Sequence, residues 1–372
     1  MTSGSTATAV VYEGPREFSL RELPLPELGD GDLLIAVTLC GVDGSELHMF
    51  NGELALFNER APLIFGDEIV GRVAAIGAGA RRRRGLDVGD FVTVEARWPC
   101  RQGCRRCERG QYFLCANNTD NRGYGSIRLS EEPSLWGGYA THVFVPEDAL
   151  VYRVPEGLPE RTALFACSVL ANGLRWSRVS GTGPGQNVVV VGPGPQGLAC
   201  VLAAARSGAT VVSVGLERDA ERLTAAKRLG AEHTVAIAPA DDRAGAAARV
   251  RDAVGDVDVV IETAGSGAAK KLALDVVSPL GTVTNVAVAS PIEQPIDYQA
   301  ILMKELRILN PMSHPHTVMD SFAFARELLA DGLDVGDLVT HAFALREAAQ
   351  AIEVAANRTA ESPIKVVLDP AL

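Results

Sequence analysis

The pattern of apolar and polar positions changes character along this chain. From residue 7 to 40, apolar residues come in short runs broken by Gly14-Pro15, Pro24, Pro26 and Gly29 to Gly31. Such punctuation predicts short antiparallel strands. Near the middle the pattern becomes denser. Val188 to Val191 are four valines with no polar alternation, which predicts a strand buried on both faces of a parallel sheet. The run ends at Gly192-Pro193-Gly194-Pro195-Gln196-Gly197, and an Ala/Leu-rich segment of helical character follows as far as Gly208. Beyond it, Thr210 to Val214, Val257 to Glu262 and Leu280 to Ala287 predict further strands. Helical segments near 218–229 and 266–277 alternate with them, as a doubly wound α/β sheet requires.

The six residues after the valines form a G-x-G-x-x-G pattern, with Pro195 and Gln196 between its second and third glycines. Gly192 suits a tight turn, Gly194 lets a pyrophosphate approach the backbone, and Gly197 lets helix and strand pack closely. Free N–H groups at the helix start then face the phosphates. A glycine-rich turn between core elements is the plainer reading. The strand before the pattern and the helix after it favour dinucleotide binding.

At 372 residues the chain suits two domains. A composition of 47% hydrophobic and 22% charged residues is that of a globular enzyme. The net charge of −11 argues against nucleic acid or an anionic membrane as partner. Arg81 to Arg84, the one basic block, lies in a Gly/Ala-rich connection and reads as a solvated loop. The first ten residues lack the basic and apolar regions of a signal peptide. GPGP would break any membrane helix over 187–205, so that span reads as soluble core. A cytoplasmic chain is expected, and with it seven cysteines that serve as metal ligands or free thiols rather than a disulfide framework.

Three segments carry a family resemblance: Leu39-Cys40-Gly41-Val42-Asp43-Gly44-Ser45-Glu46-Leu47-His48, Pro62 to Val73 with its Gly66-Asp67-Glu68, and the turn Val88-Gly89-Asp90. With the dinucleotide pattern and a four-cysteine segment, in that order and spacing, the chain resembles the zinc-type medium-chain dehydrogenase/reductases. This family includes alcohol, sorbitol, threonine and glucose dehydrogenases. The resemblance implies a Rossmann domain at 168–311, inserted in a mainly-β GroES-like catalytic domain formed by 1–167 and 312–372. It also implies hydride transfer between a nicotinamide and a small alcohol or carbonyl, and a homodimer or homotetramer.

Cys100, Cys104, Cys107 and Cys115 have C-x3-C-x2-C-x7-C spacing, which can wrap one tetrahedral Zn²⁺ as a closed structural site. Paired disulfides or free thiols are the alternative. Arg101, Arg105, Arg106 and Arg109 are expected to offset thiolate charge there.

The family's second zinc is catalytic, and here the sequence departs from the pattern. By resemblance its ligand positions fall at Asp43, Asp67 and Cys167, where Asp43 replaces a cysteine and Asp67 a histidine. Losing a soft and a borderline ligand together leaves two readings, a weaker and harder metal site or no catalytic metal, with the metal-free case ahead. By the same resemblance, Ser45 and His48 match a proton relay, Glu46 an acid behind the metal, and Glu68 a glutamate whose basic partner falls at Lys365. Ser45 also reads as a helix N-cap.

The acid that binds the adenosine ribose in NAD-preferring relatives is replaced by Gly215, and Arg218 lies close enough to pair with a 2′-phosphate. NADP is therefore favoured over NAD. Glu217 or Asp219 stands as a substitute acid. Without a metal, reduction of a conjugated alkene or an iminium becomes an alternative, and a catalytically dead cofactor-binding protein is the non-enzyme one.

Overall fold

Leu33–Val42 is a ten-residue strand buried along most of its length, because it has neighbours on both edges. In the computed structural model it pairs antiparallel with Ile69–Ile76, with His142–Val145 and with Lys365–Leu368. Residues 5–118, 122–288, 291, 293–313, 315–357 and 362–372 are described. The chain divides into two units, one of Met1–Cys167, Val318–Thr359 and Lys365–Leu372, the other of Ser168–Thr317 and Ala360–Ile364.

The first unit holds a seven-stranded sheet. Its order is Val339–Phe343, Lys365–Leu368, Leu33–Val42, Ile69–Ile76, Phe91–Val94 and Val151–Arg153, with His142–Val145 also on Leu33–Val42. A second sheet joins Glu17–Pro24, Thr6–Gly14 and Leu63–Ile64. The early strands are antiparallel, as the punctuation predicted. Tyr12, Phe65, Phe18 and Tyr139 fill the core beneath them, with Tyr12 and Phe65 stacked at 4.8 Å between ring centres. The block Arg81 to Arg84 is not the expected loop. It forms the end of the helix Ala78–Arg84, closed by Gly85 at φ 62°. Arg84 donates to the carbonyls of Pro146, Glu147 and Ala149, so the segment is held by contacts that its composition does not reveal.

In the second unit six parallel strands follow the order His233–Ile237, Thr210–Leu216, Asn187–Val191, Val259–Glu262, Thr282–Asn285 and Arg307–Leu309. The four valines are all buried, and the order reverses beside them, at the switch point where open α/β sheets bind ligands. Thr210–Leu216 runs two residues past its expected end. The predicted helices appear as Ala220–Arg228 and Gly267–Val276. The strand His233–Ile237 and the helix Arg243–Val254, which complete the alternation, went unpredicted because the strand's residues are mostly only half-buried.

Register in the first sheet has a chemical consequence. Cys40 lies opposite Ile69 on one side and Leu368 on the other, so the residue just before Ile69–Ile76 and the first residue of Lys365–Leu368 meet at one end of Leu33–Val42. They are Glu68 and Lys365, an ion pair whose side chains are each 2% exposed. Lys365 Nζ also donates to the Val42 carbonyl at 2.8 Å. Burial opposes the lysine's charge, but Glu68, with Asp43 and Glu46 beyond it, outweighs burial and raises its pKa. Gly41 makes the room, since a Cβ there would fall 2.1 Å from Glu68 Oε2.

Removing one partner of such a pair leaves an uncompensated buried charge. Lys365→Met is therefore expected to lower unfolding free energy in urea by about 3–5 kcal/mol. The double change Glu68→Gln, Lys365→Met should recover part of that loss, and equal stabilities of parent and single variant would refute the assignment.

Candidate active site

Asp43 ends the strand Leu33–Val42 and starts the helix Gly44–Phe50. The N-cap is Asp43 rather than Ser45. Asp43 Oδ1 accepts the Glu46 N–H at 2.9 Å and the Ser45 hydroxyl at 2.8 Å. Glu46 reaches back to the Asp43 N–H at 3.1 Å, closing a capping box. The same Glu46 carboxylate is buried and accepts from Tyr139 Oη at 2.5 Å. His48, one turn on, places Nδ1 2.7 Å from Glu53 Oε2, with a quarter of its side chain exposed.

Asp67 is held by the turn before Ile69–Ile76. Gly66 adopts φ 99°, and a Cβ there would lie 2.6 Å from Cys40 Sγ, so only glycine passes between Cys40 and Tyr139. Asp67 lines a cavity of about 90 Å³ together with Ser45, Glu46, Gly66, Ala96 and Arg97. Burial, then the charges of Asp43 and Glu68, pushes its carboxyl up to about 8, against the opposing pull of Arg97 and Lys365. Glu46 is raised as well, first by burial and then by Asp43 and Asp67. Like charges cannot all ionise cheaply in one buried site, so a proton held on Asp67 at neutral pH relieves the crowding.

Cys167 sits on the π-helical turn Ala166–Leu170 and is buried. Its thiol lies 3.1 Å from the Leu164 carbonyl, to which it donates, and burial followed by the Glu68 charge pushes it up to about 12. Among the described residues, Asp43, Asp67 and Cys167 do not bring ligand atoms together. The one set of three or more that does is Cys100, Cys104, Cys107 and Cys115, whose sulfurs all lie within 4.8 Å of one another. Cys100 to Cys107 and Cys104 to Cys115 are each 3.9 Å, close to the ~3.8 Å edge of a tetrahedron with Zn–S bonds of ~2.3 Å. Backbone N–H groups of Cys107 and Ala116 hold the Cys104 thiol down to about 6. The expected arginine screen is partial: Arg101 pairs with Asp148 and Arg106 donates to the Leu114 carbonyl, while Asn117 donates to Cys100 Sγ at 3.1 Å.

At the dinucleotide pattern, Gly192 adopts φ 101° and Gly194 is the N-cap of the helix Pro195–Arg206, with Pro195 in its first turn. A Cβ at Gly197 would sit 1.8 Å from the Gly192 carbonyl oxygen, so helix and strand meet only without one. Gln196 Oε1 accepts from Asn172 at 3.2 Å. Gly215 is packed under the pattern, since its Cβ would lie 2.6 Å from Pro193 Cγ. Asp219 is turned inward and accepts the Leu216 N–H at 2.9 Å, whereas Glu217 and Arg218 are exposed.

Two members of the first site escaped the sequence reading. Tyr139 lies far from the other motifs in the chain, and Arg97 is one of 35 basic residues with no spacing to mark it. Only the fold brings them to Glu46 and Asp67.

A raised Asp67 pKa links stability to pH. The folded chain keeps a proton that the unfolded chain releases near pH 4, so this group's stabilising contribution declines from about pH 4 to about pH 8. Asp67→Asn is expected to flatten that decline, giving its largest gain in Tm over the parent near pH 8. Parallel Tm curves for the two proteins would contradict it.

Residues 29–156 match the alcohol dehydrogenase GroES-like domain, and residues 195–331 match the zinc-binding dehydrogenase domain. The chain is 37% identical over 342 residues to a protein of Mycobacterium tuberculosis designated a probable alcohol dehydrogenase, covering 89% of each. It is 30% identical to the sorbitol dehydrogenase of Bacillus subtilis over 97% of each chain. A solved structure of a candidate zinc-binding dehydrogenase from Sinorhizobium meliloti 1021, bound to NADP, aligns with TM-score 0.77 and 28% identity over 98% of this chain and 100% of that one. With two units, a reversed parallel sheet and a four-cysteine lobe, the chain belongs to the zinc-type medium-chain dehydrogenase/reductase family, as an alcohol-dehydrogenase-like oxidoreductase dependent on NAD or NADP.

Proposed function

We propose that this protein interconverts a small alcohol and its carbonyl with NADP(H), without a metal at the reacting oxygen. The carrying observation is the set of residues around Asp67. Asp43 Oδ1 accepts from the Glu46 N–H and the Ser45 hydroxyl, the Cys167 thiol points to the Leu164 carbonyl, and Glu68 is taken up by Lys365. These donors do not fit a zinc ion. Ser45 and Asp67 both line the cavity, which supports substrate binding there. Ser45, on leaving its hydrogen bond to Asp43, donates to the substrate oxygen and passes it a proton, and His48, 2.7 Å from Glu53, exchanges protons with solvent.

The cysteine lobe does fit zinc. Bound by Cys100, Cys104, Cys107 and Cys115, the ion supplies a crosslink that fixes the loop. Backbone N–H groups at the start of Pro195–Arg206, after Gly192 and Gly194, would hold the pyrophosphate. Gly215 leaves no acid against the ribose, and Arg218, near Arg222, supplies positive charge for a 2′-phosphate. Assembly into a homodimer or homotetramer is part of the reading. Tyr298, Leu302 and Met303 are 74%, 70% and 71% exposed just before the edge strand Arg307–Leu309, an apolar face suited to a second copy.

Metal analysis tests the central claim. Purified protein is expected to contain about one zinc per chain, lost in Cys104→Ser, and to keep carbonyl reductase activity after mild chelation. A second anomalous peak touching Asp43, Asp67 or Cys167 would overturn the metal-independent reading. Arg218→Ala should weaken NADPH binding by ~1–3 kcal/mol while leaving NADH binding nearly unchanged. Equal parent affinities for the two cofactors would defeat the NADP preference alone.

A further inference from the structure

Arg97 follows the strand Phe91–Val94 and precedes the cysteine lobe by three residues. Arg97 lines the cavity with Ser45 and Asp67, and its Nε is buried without a hydrogen-bond partner. Among the described residues it makes no ion pair; Asp67 is the charge that acts on it. The backbone around it is firmly mounted. Tyr124 N–H donates to the Ala96 carbonyl at 2.9 Å, and Trp98 stacks on Trp136 at 6.2 Å between ring centres. Gly123 closes over the stem, where a Cβ would meet the Ala96 oxygen at 2.4 Å and Arg97 Cγ at 3.2 Å. A half-buried guanidinium whose Nε meets no acceptor is unfavourable by itself, and an acceptor on a bound molecule at its remaining N–H groups offsets that cost.

We propose that the Arg97 guanidinium donates a hydrogen bond to the reacting oxygen of the substrate and supplies there the positive charge that the unassembled metal site cannot. The inference rests on the metal-independent reading above. The substrate class is a neutral aldehyde or ketone and its alcohol. The cavity of about 90 Å³ that Arg97 shares with Ser45 and Asp67 suits a small neutral group. In reduction, hydride from the reduced nicotinamide forms a C–H bond at the carbonyl carbon, and the π pair of C=O moves onto oxygen. That oxygen takes a proton from the Ser45 hydroxyl, which regains one from solvent, and the nicotinamide leaves oxidised by two electrons. Arg97 keeps all its protons, because a guanidinium does not release one at working pH. It stabilises the charge as that charge develops, as an oxyanion-hole donor does.

The full-length protein is compared with Arg97→Met, Arg97→Lys and Arg97→Ala, using benzaldehyde with NADPH for turnover and acetamide, a neutral carbonyl mimic, for calorimetric binding to the NADPH complex. Arg97→Met is expected to lower kcat by ~10²–10³-fold, the range for losing one oxyanion donor. NADPH affinity should stay unchanged, which also shows that the variant folds. Arg97→Lys should keep intermediate activity, added guanidinium should partly restore Arg97→Ala, and acetamide binding should vanish in Arg97→Met. Unchanged kcat with one zinc per chain would overturn the role of Arg97 while leaving the metal-independent reading intact. A second zinc at Asp67 with chelator-sensitive turnover would remove that reading and this inference together. If the parent does not reduce benzaldehyde, equal acetamide affinity in parent and Arg97→Met refutes the proposal, and binding lost in the variant supports it.

Discussion

The buried pair of Glu68 and Lys365 is the constraint on which the catalytic unit depends. It joins the start of Ile69–Ile76 to the last strand of the chain, at the end of the longest strand in the sheet. Two charges taken out of water favour folding only when each meets the other and the remaining donors are satisfied. Lys365 meets both conditions through Glu68 and the Val42 carbonyl, and Gly41 keeps the space clear for them. This pairing ties the C-terminal strand to a sheet begun more than three hundred residues earlier.

The pair also sets the chemistry next to it. Once Lys365 is matched to Glu68, little of its charge is left for Asp43, Glu46 and Asp67. The crowding is relieved in three different ways. Asp43 takes donors from the helix start, Glu46 takes the Tyr139 hydroxyl and the Asp43 N–H, and Asp67 rises toward a protonated state. Arg97, across the cavity, is the remaining positive charge acting on Asp67 besides Lys365. In the metal-independent reading proposed above, the site balances its charge with protons, backbone dipoles and one guanidinium.

The four-cysteine lobe shows how differently a set of donors behaves when it converges. Its sulfurs lie in one loop, so local turns alone bring them within tetrahedral reach. Asp43, Asp67 and Cys167 come from three separate segments, and Asp43 and Cys167 are engaged in local hydrogen bonds of their own.

What the sequence by itself determined were features carried by local period and spacing. The valine run and its glycines marked the strand, turn and helix of a dinucleotide fold, because β-branched residues buried on both faces and glycine's freedom at close approaches are local requirements. The cysteine spacing likewise announced its own cluster. The pairing of Glu68 with Lys365 was legible only through resemblance to a family. Only the tertiary structure decided what lies across the chain from what. It gave the helix cap to Asp43, set Ser45 on that cap at the edge of the cavity, and placed the arginine block on a helix. It brought Tyr139 against Glu46, and Arg97 into the cavity beside Asp67. Those contacts depend on register and burial between segments distant in sequence, which no local pattern encodes.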